Sequence, residues 1–207
     1  MPLNSYNDLN DIQMDVLREI GNIVSGNAAT SLSNMLMRPV GINVPQIKIL
    51  DYNQVVTALG GPETMVVGLL LSLSGDVTGM MMFLLQKDFA HMTLNSLLGQ
   101  TFSDFSEVDE MGYSAMTEVA NIMAASYVNA VSTLTGLDIN ISVPDICIDM
   151  AGAILSVPAI HYANISDKMI FIEDEFNSKE ENAVSHILMI PEVESLQKIM
   201  TNLGIEI

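Results

Sequence analysis

Apolar and polar residues along this chain follow two different periods. Leu17, Ile20, Val24, Ala28 and Met35 recur at helical spacing, which predicts a helix of about seven turns, capped at Asp8 or Asn10 and leaving at Arg38-Pro39. Ile42, Val44, Ile47 and Ile49 predict a strand. Met65–Leu73 and Val77–Leu85 predict a hairpin turned at Ser74-Gly75-Asp76, and Asp88 to Leu98 predicts a short helix ending at Gly99. The order then returns. A long helix runs from about Glu107 to Leu134, followed by strands near Ile141–Ile148, Ala153–Ala163, Lys168–Glu173 and Val184–Ile190. In the last helix, Glu192 to Leu203, an apolar stripe of Leu196, Ile199, Met200 and Leu203 opposes Glu194, Gln197 and Lys198.

This return is a sequence repeat. Asp15-Val16-Leu17-Arg18-Glu19-Ile20-Gly21-Asn22-Ile23 lies over Ser114-Ala115-Met116-Thr117-Glu118-Val119-Ala120-Asn121-Ile122 without a gap, at an offset of 99. The offset survives into the next strand, where Val44-Pro45-x-Ile47-x-Ile49 falls on Val143-Pro144-x-Ile146-x-Ile148. Further on, Phe83-Leu84-Leu85…Leu98-Gly99 matches Leu188-Met189-Ile190…Leu203-Gly204 at an offset of 105, so loops absorb six residues. Each half leaves a sheet face that its own two helices cannot bury, which favours one continuous sheet over two independent domains. The expected class is therefore α+β. A single pseudo-two-fold domain over residues 1–207 is built from a tandem α-β-β-β-α repeat, with halves of about 8–100 and 106–205, a shared, largely antiparallel sheet and two long helices.

Composition narrows the partners. A hydrophobic fraction of 49% in 207 residues provides for a substantial core. The net charge of −18 repels phosphate backbones and anionic lipid, so neither nucleic acid nor a membrane surface is an expected partner. The apolar region Met65 to Leu85 is broken by Ser74-Gly75-Asp76 and reads as two strands, not a membrane span. The N-terminal residues resemble no signal peptide, and a lone Cys147 forms no internal disulfide, so a cytoplasmic location is expected.

The repeated polar pair carries the chemistry. Residues three apart on a helix differ by about 60° in direction and about 4.5 Å along the axis, so Glu19 projects beside Asn22, and Glu118 beside Asn121. The same face continues from Asp15 to Gly26 and Ala29 in one helix, and from Ser114 to Ala125 and Val128 in the other. Small residues behind a carboxylate and a carboxamide suit docking of another protein better than enclosure of a small molecule. An isolated Glu-x-x-Asn is ordinarily a solvated stretch of amphipathic helix, but duplication at equal offset, with a poor helix former in mid-helix, argues for a role beyond folding.

The pattern (Asp or Ser)-x-x-x-Glu-x-x-Asn, present as Asp15…Glu19…Asn22 and Ser114…Glu118…Asn121, resembles the signature of the CheC/CheX/FliY family of bacterial chemotaxis phosphatases. Two intact copies favour its CheC branch over CheX, and the absence of a further module after Ile207 argues against FliY. The resemblance implies hydrolysis of the aspartyl phosphate on the response regulator CheY. Asn22 and Asn121 would orient the attacking water. Glu19 and Glu118 would dock against a lysine of the regulator, with Asp15 and Ser114 as possible supports. No cofactor is expected on this chain, because the divalent metal belongs to the regulator's site. The receptor deamidase CheD is a possible further partner, with an outer helix such as the last one as a docking place. A noncatalytic adaptor that binds CheD or a regulator is the alternative reading. Arg18 beside one Glu and Thr117 beside the other suggest unequal sites.

Other features offer no competing chemistry. His91, His161 and His186 lack metal-ligand spacing, Cys147 has no His partner, and Gly60-Gly61-Pro62 reads as a turn. The polar run Asp174 to Asn182 reads as a solvated loop, and most of the 16 methionines, Met80-Met81-Met82 among them, as core filling.

Overall fold

The computed structural model describes residues 3–162, 168–177 and 182–206. The first repeat runs α1 (Asp11–Leu36), β1 (Gly41–Ile42), β2 (Gln46–Asp51), α2 (Tyr52–Ala58), β3 (Met65–Gly75), β4 (Gly79–Leu85) and α3 (Lys87–Leu98). The second runs α4 (Glu110–Thr135), β5 (Ile139–Ile141), β6 (Asp145–Met150), α5 (Ala151–Tyr162), β7 (Lys168–Asn177), β8 (Asn182–Pro191) and α6 (Val193–Asn202). Both long helices have 26 residues and keep the offset of 99.

Local chemistry sets their ends. Asn10, not Asp8, caps α1: its side chain accepts from the Gln13 N–H at 2.9 Å while the Gln13 side chain accepts from the Asn10 N–H at 3.0 Å. Asp109 accepts from the Gly112 N–H at 2.8 Å, so α4 starts three residues later than expected, after a 3₁₀ turn at Phe105–Glu107. Met37 ends α1 in the left-handed region at φ 51°, and Gly136 ends α4 there at φ 73°.

Among the described residues every strand pairing is antiparallel, along the path β1-β7-β8-β4-β3-β5, with β2 also on β7 and β6 also on β3. The halves therefore exchange strands. β2 of the first repeat pairs with the second repeat's β7, and β6 of the second pairs with the first repeat's β3. β4 and β8 meet at the centre, from Gly79 opposite Pro191 to Leu85 opposite Ser185. The pseudo-two-fold passes between them.

Two expectations are corrected. Ala153–Ala163 is not a strand, because Ala151–Tyr162 forms α5. Pro158 argues for extended chain, yet the buried positions Ala151, Ile154, Leu155 and Pro158 have helical spacing. The first repeat's counterpart, α2, is absent from the expected order although Asp51 and Gln54 form a capping box at its start. The repeat is thus α-β-β-α-β-β-α. These added helices cover the second face of the sheet. In β4, Met81, Phe83 and Leu85 join the larger core beneath the other four helices, while Met80, Met82 and Leu84 join Val55, Val56, Ile154 and Leu155 on the α2/α5 side. A strand apolar on both faces requires cover on both. The stripe of α6 packs inward as expected, with Leu196, Ile199 and Met200 buried.

The polar run is also corrected. β7 extends through Asn177, and Asp174 within it is fully buried; residues 178–181 lie outside the described residues. Asp174 accepts a short hydrogen bond from the Tyr127 hydroxyl, which also meets the Ser25 hydroxyl at 2.9 Å, so α1, α4 and β7 are tied at one point. Register locates the equivalent point in the other half. Glu173 opposes Gln46 as Leu70 opposes Asp145, which makes Leu71 the counterpart of Asp174. Ala124 and Ala28 replace Ser25 and Tyr127 there, so that side is wholly apolar.

Burial raises the Asp174 carboxyl from its ordinary 3.8 to about 6. The folded state therefore holds a proton that the unfolded chain releases near pH 4, so this residue's contribution to stability is full below pH 4 and is lost as pH rises through about 6. Wild type should lose about 2 kcal/mol relative to Asp174→Asn between pH 4 and pH 7.5, an order-of-magnitude figure from the part of the shift, at ~1.4 kcal/mol per unit, that this window spans. Denaturant unfolding of both proteins across that range checks it.

Candidate functional site

The sheet side of each long helix is set by packing. Leu17, Gly21, Val24 and Ala28 of α1 are buried, as are Met116, Ala120, Met123 and Tyr127 of α4. Gly21 allows a close approach: a Cβ there would fall 1.8 Å from Cδ1 of Ile47 on β2. Opposite this inward side stand the repeated pairs. Glu19, Asn22 and Glu118 are exposed and Asn121 is half-buried. None of the four side chains has a partner among the described residues, so both carboxylates and both carboxamides face solvent unengaged.

The structure brings each pair together on its own helix and keeps the two pairs apart. The Ser31 and Ser126 hydroxyls meet at 2.6 Å, and an open groove is lined by Ile23, Asn27, Thr30 and Ser31 from α1 and by Asn129 and Leu134, among others, from α4. Early α1 thus lies beside late α4, and the helices cross antiparallel near Ala29 and Val128. At ~1.5 Å per residue the two Asn residues stand about 20 Å apart along the crossing. Beyond the pairs, the small residues have a structural use. Ala29 and Val128 are buried at the crossing, so the flat face expected behind each pair ends after Gly26 and Ala125.

Asp15 and Ser114 lie on the same faces and are exposed. Their circumstances differ. Asp15 accepts from Arg18 at 2.6 Å, whereas Thr117, at the position of Arg18, turns its hydroxyl to the Tyr113 carbonyl at 2.9 Å. At this exposure the ion pair contributes little to stability, but it ties Arg18 to Asp15 on the first helix, a contact the second helix lacks.

Among the described residues, the main hollows are lined by side chains other than Glu19, Asn22, Glu118 and Asn121. A hollow of about 310 Å³ lies on the other side of the sheet, lined by Gly68, Leu70, Met82, Cys147, Ile154 and Val157, among others. It exists because Gly68 occupies the ladder position that Phe171 fills in the second repeat, as Cys147 opposite Gly68 and Lys48 opposite Phe171 show. Cys147 is exposed. His186 is buried, stacked on Phe171 and 3.4 Å from Glu173, and burial holds its pKa below the ordinary value. Among the described residues no three His, Cys, Asp or Glu side chains are grouped as metal ligands, and no helix is long and apolar enough to cross a membrane. The side chain of His161 lies outside the described residues.

A profile of the CheC-like family matches residues 12–49 and 111–148, two segments again 99 apart that contain both pairs. The CheY-P phosphatase CheC of Bacillus subtilis (strain 168) is 31% identical over 206 residues, spanning 98% of this chain and 99% of that protein. This chain belongs to the CheC-like family. The flagellar motor switch phosphatase FliY of the same organism is 26% identical over 138 residues, 66% of this chain and 36% of FliY. The crystal structure of Thermotoga maritima FliY superposes with a TM-score of 0.75 at 23% identity, covering 95% of this chain and 98% of that one, which establishes the shared fold.

The Ser25, Tyr127 and Asp174 contacts behind these faces escape a reading of the sequence. One signal is available: Asp174 falls in phase with Ile170, Ile172 and Phe176, all inward-facing residues of β7.

For a CheC-like chain with unengaged polar pairs, truncation should spare the fold. Asn22→Ala and Glu19→Ala should change unfolding free energy by no more than about 0.5 kcal/mol, with Asn22→Ala neutral or stabilising because Ala is the better helix former. Thermal melting of the single variants measures this directly.

Proposed function

We propose that this chain hydrolyses the aspartyl phosphate of CheY at two sites, Glu19/Asn22 and Glu118/Asn121. The observation that carries the reading is that both pairs stand free on outward helix faces, inside the two segments that match the family. The name of the near full-length relative supports the substrate. An acyl phosphate is already reactive, so acceleration requires chiefly a water held in line with phosphorus. A carboxamide offers a donor and an acceptor for that purpose without bringing charge to an anionic phosphoryl group. Glu19 and Glu118 are placed for docking, because a carboxylate beside the phosphoryl group is repelled unless a cation lies between. A lysine of the regulator supplies that cation, and the divalent metal belongs to the regulator. Asp15 and Ser114, one turn earlier, support docking. The ion pair to Arg18 and the greater exposure of Asn22 make the two sites unequal. We assign the chain to the cytoplasm, where such a substrate resides.

The decay of phosphorylated CheY, measured with wild type, Asn22→Ala, Asn121→Ala and the double variant, tests this reading. Wild type should shorten the lifetime, each single variant should retain part of the effect at a different level, and the folded double variant should retain none. Full loss in either single variant contradicts independent sites. No acceleration by wild type overturns the phosphatase reading in favour of an adaptor for CheD or for the regulator.

A further inference from the structure

The first turns of α1 and α4 carry a second duplicated feature. Ile12 and Met111 stand 99 residues apart, at the same helical position, and are 67% and 61% exposed. Single exposed apolar residues are ordinary on protein surfaces. These two are distinguished by where they point. Seven residues turn a helix by nearly two full turns, returning to within about 20° of the same direction and about 10 Å further along. Ile12, Asp15, Glu19 and Asn22 therefore form one outward stripe, and Met111, Ser114, Glu118 and Asn121 form another. Val44 and Val143, the other exposed apolar pair at this offset, lie in the loops before β2 and β6 and not on these helices.

The surface around Met111 is shallow and open. Asp109, Glu110, Met111 and Ser114 line an open hollow of about 560 Å³. Asn10, Asp11, Ile12 and Asp15 occupy the equivalent positions on α1. In each repeat an apolar side chain is thus edged by acidic residues and adjoins the residue that precedes the Glu by one turn.

We propose that Ile12 and Met111 are apolar anchors for the receiver domain of phosphorylated CheY, each seated against an apolar patch about 10 Å from the lysine that meets the Glu. The assignment rests on the functional reading above and extends each site from a pair to a stripe three turns long. Continuity of the stripe with the Glu/Asn pair, inside the two family-matched segments that begin at Ile12 and Met111, selects this occupant. An apolar group buried at the centre of a small charged interface contributes affinity, while the surrounding charges set orientation. The anchors have no part in the chemical step.

The test compares wild type, the Ile12→Ser/Met111→Ser double variant and the Ile12→Leu/Met111→Leu double variant. Calorimetric binding to CheY activated with beryllofluoride is measured alongside hydrolysis of phosphorylated CheY. The Ser variant should bind about ten-fold more weakly and show a KM raised by a similar factor with kcat unchanged, while the Leu variant stays near wild type. Circular dichroism should be the same for all three, since both positions are exposed. Equal binding by wild type and the Ser variant overturns the anchors, as does a fall in kcat at unchanged KM. If wild type binds but does not hydrolyse, and the Ser variant binds weakly, the anchors stand while the phosphatase reading falls. If wild type neither binds nor hydrolyses, both fall.

Discussion

Everything in this molecule depends on strands changing sides. β2 hydrogen-bonds to β7 of the opposite repeat and β6 to β3, so neither repeat completes its sheet without the other. The central β4–β8 pairing fixes the two-fold between the repeats, and that axis makes α1 and α4 antiparallel. The polar pairs take their placement from this arrangement. Each helix is held from below by the sheet and from one side by its counterpart, and the surface left over is the one bearing Glu and Asn. Gly21 on Ile47 and the buried Ala29 and Val128 bring these layers close enough for the helices to behave as a rigid platform.

Much of this is legible in the sequence because duplication supplies an internal control. The long helices, the hairpin of β3 and β4, the short terminal helices and the outward placement of the repeated Glu/Asn pairs all follow from period and offset. Legibility ends where helix and strand periods fit the residues equally well. The stretch after β6 is nearly all apolar, so its helical phase emerges only once Ala151, Ile154 and Leu155 are seen to be buried together. The polar stretch from Asp174 resembles a loop because a carboxylate in a core is rare, and its partner Tyr127 lies 47 residues earlier in the chain. Strand exchange is equally hidden, since alternation states which face a residue takes and nothing about which strand it meets.

The buried contacts among Ser25, Tyr127 and Asp174 break the symmetry that the sheet establishes. Their counterparts, Ala124, Ala28 and Leu71, meet the same requirement of filling the core without a polar atom. The polar version carries a burdened carboxyl, pushed up to about 6 by burial, and holds it with the Tyr127 hydroxyl of one long helix, which is met in turn by the Ser25 hydroxyl of the other. Such contacts define one geometry more sharply than apolar packing does, because leaving either partner unpaired is costly.

That asymmetry has a consequence for how such a protein changes over generations. In a dimer of identical chains every substitution appears twice, and a residue that suits one half must be tolerated in the other. With both halves in one polypeptide, Tyr127 is introduced once and Ala28 is left alone. Arg18 and Thr117 differ in the same way. Covalent fusion of the two halves keeps the architecture of a symmetric assembly while allowing each Glu/Asn-bearing face to drift or specialise by itself.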